Sequence, residues 1–122
     1  MSELDTFGEL VMTRLRDRTL DYAGGLMRHH WKAPSSQKLQ ADLAQLPSEH
    51  QAVVVRCVRA SVDYGIHAFL VGLRDALEDG DIAVTVHGKN LLDLSDQLEG
   101  ELFSEDGWQA QFSKYGEAPE EE

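Results

Sequence analysis

The sequence predicts a mainly α-helical domain of the α+β class: a compact bundle around one long central helix, about residues 49–79, with a small two-stranded antiparallel ribbon pairing about 82–87 with 108–113. Three observations carry this expectation. Apolar residues recur at three- and four-residue steps over most of the chain, one such run lasts about eight turns, and only two short segments alternate at the period of a strand. The composition, 42% hydrophobic and 27% charged over 122 residues, suits one hydrophobic core. Residues 1–116 read as a single globular domain and residues 117–122 as an acidic, disordered tail.

Thr6 and Glu9 have the spacing of a capping box, so a helix is expected to begin near Phe7. Phe7, Leu10, Val11, Leu15, Tyr22 and Leu26 mark its apolar face, and the pair Gly24-Gly25 weakens or ends it. Lys32-Ala33-Pro34-Ser35-Ser36 is a connector, followed by a short helix carrying Leu39, Leu43 and Leu46 and stopped by Pro47. A second capping box, Ser48 with Gln51, opens the long helix, and Gly80 ends it where a left-handed residue is favoured. Val55, Val58, Val62, Ile66, Phe69, Leu73 and Leu77 project onto one broad apolar face; Val53, Cys57, Tyr64, Ala68 and Val71 extend it around the side. Only Arg56, Asp63, His67 and Arg74 form a polar stripe. A helix so apolar is expected to be covered on several sides, by the bundle or by a second copy.

Ile82, Val84 and Val86 alternate with polar or small residues as a half-buried strand does, and Trp108, Ala110 and Phe112 offer the partner strand after the turn at Asp106-Gly107. Leu91, Leu94, Leu98 and Leu102 make a helix between them. The alternative places Trp108, Phe112 and Tyr115 on one face of a last helical turn.

Charge is the strongest functional signal. The net charge is -11, and it is placed unevenly: from Asp93 onward there are ten acids and one base, Lys114, whereas the first helix is balanced. Such a field repels nucleic-acid phosphates and anionic lipid and attracts basic protein surfaces. No secretory or membrane-spanning pattern occurs, and the lone Cys57 excludes an intramolecular disulfide; a reducing cytoplasm is expected.

Four constellations bear on chemistry, and each has a plainer reading. Asp63 and His67 lie one turn apart, as in a carboxylate-oriented general base, but form an ordinary charge ladder with Arg56 and Arg74. His29-His30 lacks the spacing of a zinc motif. His87-Gly88-Lys89-Asn90 lacks the remainder of a phosphate loop and suits a turn with Asn90 as a helix cap. The acids from Asp93 to Asp106 do not follow the order of a calcium-binding loop.

The expected function is that of a small, acidic, cytoplasmic protein-binding module of an inhibitor or immunity type. It would dock a basic protein through Asp93, Asp96, Glu99, Glu101, Glu105 and Asp106, with Trp108 as aromatic anchor. Two other classes stand beside it: a nucleic-acid mimic that blocks a DNA- or RNA-binding protein, and an enzyme with a site near Asp63, His67 or His87. No catalytic, cofactor-binding or metal-binding residue is assigned, no direct nucleic-acid or membrane contact is expected, and the assembly is a monomer or a homodimer through the long apolar helix.

Overall fold

The computed structural model describes residues 1–103 and 106–117; Ser104, Glu105 and residues 118–122, with most of the acidic tail, lie outside the described residues. The fold is mainly helical, with a long central helix and a two-stranded antiparallel ribbon. The first helix, α1 (Glu3–Leu10), starts a turn earlier than the Thr6–Glu9 box predicts. Ser2 is its cap: the hydroxyl accepts the Asp5 backbone N–H at 3.1 Å, while the Thr6 hydroxyl turns back to donate to the Ser2 carbonyl at 3.0 Å.

The helix runs on through a π-helical segment, Val11–Asp17, into α2 (Arg18–Met27), unbroken by Gly24-Gly25. Bonding to the fifth residue widens the winding, so residues five apart share a side. Val11 and Arg16 point inward together, as do Met12 and Asp17, and all four are buried. A chain leaving α2 at Arg28 reaches α3 (Pro34–Ala44), which packs on α2. The side chain of Gln40, buried in α3, fixes that connection by accepting from the Trp31 N–H at 2.9 Å and donating to the Trp31 carbonyl at 2.7 Å.

The central helix α4 spans Ser48–Asp79 and ends at Gly80 with φ 78°, as expected. Gln51 does not close a capping box with Ser48. Its amide donates to the carbonyls of Leu43 and Leu46, 3.1 Å each, and so satisfies the end of α3.

The expected cover of α4 on several sides is not found. Ile66, Leu70 and Leu77 are buried and Val62 and Leu73 lean on the core, but Val53, Val55, Tyr64 and Phe69 are exposed. Leu70, which projection at ideal pitch leaves between the apolar and polar faces, has 0% exposure; Phe69, nominally near the centre of the apolar face, has 53%. α2, the π-helical segment and residues 91–94 and 98–102 pack on α4, and they enclose Leu70 and leave Phe69 at the surface.

The ribbon is also corrected. β1 (Thr85–Val86) pairs with β2 (Lys89–Asn90), in the register Thr85↔Asn90 and Val86↔Lys89, and not with residues 108–113. His87 at φ 49° and Gly88 at φ 82° supply the two positive φ values of a tight hairpin turn, so a local partner is available at two residues' distance. Trp108–Phe112 is instead the helix α6, the alternative weighed for this segment. Between ribbon and α6 the four leucines do not make one helix: Leu91–Leu94 is the short α5 and Leu98–Leu102 a 3-10 turn. Leu91, Leu98 and Leu102 are buried in the same core as Met12, Ile66, Leu70 and Trp108. Gly8 lets α1 press against the indole: a Cβ there would fall 2.3 Å from Trp108 ring atoms. No helix among the described residues is long and apolar enough to cross a membrane.

Candidate binding cleft

The acids expected to form one docking face have separate fates. Asp93, Asp96 and Asp106 are exposed. Glu99 accepts a short hydrogen bond from Arg74 Nη1, with its side chain only 16% exposed, and Glu101 accepts from the Ser95 hydroxyl at 3.1 Å. Glu105 lies outside the described residues. Trp108 is no surface anchor: it is 1% exposed and meets Phe7 edge to face, ring centroids 5.9 Å apart.

Asp63 turns away from His67 to pair with Arg16, Nε to Oδ1 at 2.7 Å and Nη2 to Oδ2 at 3.3 Å. The His67 ring lies beside Tyr64, centroids 6.3 Å apart. His87 lines a shallow groove with Glu9 and Thr13, and the described residues contain no group of three or more His, Cys, Asp or Glu side chains that could hold a metal ion.

The π segment organises the other side of the molecule. Arg16, with no exposed surface, spends its remaining donors on the Ser113 hydroxyl at 2.7 Å and the Gly116 carbonyl at 2.5 Å. Asp17 accepts from the Ser113 hydroxyl at 2.6 Å and the Lys114 backbone N–H at 3.1 Å. One turn on, Asp21 accepts from Lys114 Nζ at 2.7 Å and the Tyr115 hydroxyl at 2.5 Å. Lys114, then Tyr115, hold the Asp21 carboxyl below the usual carboxylate range, while the carboxylate raises the lysine. Partial burial, then Asp21, raises the Tyr115 phenol. Residues 113–117 are thereby strapped across α2 and α4, with Arg59 Nη2 donating to the carbonyls of Tyr115 at 2.8 Å, Gly116 at 3.3 Å and Glu117 at 3.0 Å.

Tyr115 forms one end of a cleft of about 400 Å³ between α2, α3 and α4. Leu20, Ala23, Leu26 and Met27 of α2 line it, faced by Leu43 of α3 and Val54 and Val58 of α4, with Leu39 and Val55 half exposed at the mouth. Among the described residues Arg28 and Arg59 are its only charged lining residues, and Arg59 Nε is buried with no hydrogen-bond partner among them. An apolar concavity of this size takes an apolar side chain.

None of these cleft residues is signalled in sequence as a site, because the cleft joins three helices. The only legible trace is that the first half of α4 carries more apolar surface than one flank can bury. No family model matches the chain, and neither a curated protein nor a solved structure matches it.

Proposed function

We propose that the protein is a non-catalytic protein-binding module that takes an apolar segment of a basic partner into the α2–α3–α4 cleft. The observation that carries this reading is the cleft itself: a preformed, largely apolar concavity walled by α2, α3, α4 and Tyr115. The exposed Asp93, Asp96 and Asp106, within a chain of net charge -11, supply attraction at a distance and not the contact surface. The non-catalytic assignment is supported by the engagement of Asp63 with Arg16, which takes from His67 the carboxylate a general base would use.

A capped heptapeptide with a Leu-Phe centre and lysine flanks tests the reading by calorimetry. The parent protein is expected to bind it, and Leu39→Glu or Val55→Glu, both at exposed mouth positions, to weaken binding tenfold or more. At low salt a serine-flanked control should associate more slowly. Equal affinity of parent and mouth variants, or no binding by the parent, removes the cleft as the recognition site.

A further inference from the structure

The register of the hairpin fixes which backbone groups of β1 are used. Beyond the pairs Val86↔Lys89 and Thr85↔Asn90, the Leu91 N–H donates to the Val84 carbonyl at 2.9 Å. Bonded and non-bonded levels alternate along an antiparallel ladder, so Thr85 turns its own N–H and C=O away from β2. Neither group has a hydrogen-bond partner among the described residues, and Thr85 is exposed. This free edge lies along the groove of about 480 Å³ between β1 and α1, lined by Val84 to His87 on one side and by Phe7, Glu9 and Leu10 on the other. Phe7 and Val84 lean on the core, while Leu10 is 50% exposed. Glu9 is the single acid among the described residues of the lining, and no cation among them pairs with it; Lys89, at the end of the ribbon, is engaged with Glu3 at 3.3 Å.

We propose that the β1 edge is a docking site for an extended segment of a partner protein, which adds to the ribbon as a third strand and brings a lysine or arginine to Glu9. Backbone chemistry selects a strand: one antiparallel residue facing Thr85 returns both bonds, to its N–H and to its C=O, whereas a helix spends these groups on itself. Side-chain alternation then sets the pattern of the segment. The residues on either side of the one facing Thr85 share a face with Val84 and Val86, so apolar side chains there pack toward Phe7 and Leu10. Charge sets the flanks, because a cation next to them meets the Glu9 carboxylate within the field of a chain of net charge -11. The groove shares no lining residue with the α2–α3–α4 cleft, and the proposal stands independently of what the cleft binds.

The probe is a capped pentapeptide, Lys-Val-Thr-Val-Lys, titrated into the full chain and followed by calorimetry and amide hydrogen exchange. The parent is expected to bind it, with exchange of the Thr85 amide slowed at least tenfold at saturation. Methylating the nitrogen of the peptide's central threonine removes the donor to the Thr85 carbonyl and keeps every side chain, so affinity should fall tenfold or more. Thr85→Pro removes the outward donor and no ladder bond, so a folded protein that binds at least tenfold more weakly is expected; should it not fold, the methylated peptide carries the test. Glu9→Gln should weaken binding at low salt and flatten its salt dependence. Leu39→Glu, at the mouth of the cleft, should leave binding unchanged. The proposal is overturned by no binding at ~5 mM peptide, by a methylated peptide that binds as tightly as the original, by a Thr85 amide whose exchange the bound peptide does not slow, or by loss of binding in Leu39→Glu. Protection of the Thr85 amide by protein concentration alone assigns the edge to a second copy and overturns it equally.

Discussion

Arg16 shows how one residue can hold three parts of a chain together. It has no exposed surface, its guanidinium pairs with Asp63 on α4, and its other donors reach Ser113 and Gly116, about a hundred positions away in sequence. Removing one member of such a pair leaves a buried charge without compensation, which costs about 3–5 kcal/mol. Arg16→Met should therefore lower the urea midpoint strongly, and adding Asp63→Leu should restore much of the loss; a double variant no better than the single would show that the strap, not the pair, carries the stability. Asp21 acts differently because it lies at the surface. Its carboxyl is held below the ordinary range by Lys114 and Tyr115, so its stabilisation is present above the unfolded pKa and is lost as pH falls through the lower folded value. Lys114 and Tyr115 are raised, so they lose theirs only on the alkaline side. Asp21→Asn is expected to flatten the acid limb of a stability–pH profile below about pH 4 while leaving the region near pH 7 parallel to the parent's.

At the scale of the element, α4 separates apolar character from burial. Phe69 and Leu70 are sequence neighbours, yet one is half exposed and the other fully enclosed. Leu70→Ala should cost roughly 2–5 kcal/mol through lost burial and the cavity left behind, whereas Phe69→Ala should cost well under half as much in the folding of a single chain. Denaturant titrations of the two variants give the comparison; a Phe69→Ala loss as large as that of Leu70→Ala would place the buried stripe wrongly. A competition between burial and strand pairing decides the segment after Gly107. Residues 108–113 do alternate, but Gly107 to Phe112 also close a helical turn, and in that form Trp108 is fully buried against Phe7 and Gly8. Burial of an indole outweighs a two-residue gain in strand pairing.

Across the whole molecule, an excess of negative charge works against compactness. The acids exposed at 75, 78, 79, 81, 93, 96 and 106 repel one another, and few cations lie among them. Added salt screens exposed charges much more than buried pairs such as Arg16–Asp63. The melting temperature should accordingly rise by a few degrees between about 0.02 and 0.3 M sodium chloride, a range over which the Debye length falls from roughly 20 Å to 6 Å. A melting temperature that falls with salt would mean that exposed ion pairs such as Lys89–Glu3 and Lys114–Asp21 outweigh the net repulsion.

Several features were legible in the sequence alone because they depend on neighbours along the chain. The helical class, the extent of α4, its stop at Gly80 and the turn at His87-Gly88 all follow from periodicity and from residues that tolerate positive φ. The start of α1 shifted by one turn only because Ser2 offered an earlier cap of the same kind. Tertiary structure alone decided which flank of α4 is covered, that Trp108 belongs to the core, that Glu99 and Glu101 are tied inward, and that Arg59 and Tyr115 wall a cleft with α2 and α3. Such outcomes depend on contacts between residues tens of positions apart. The physical reason is that a side chain's apolarity states what it gains from burial, while the area available to bury it is set by which other elements reach it first.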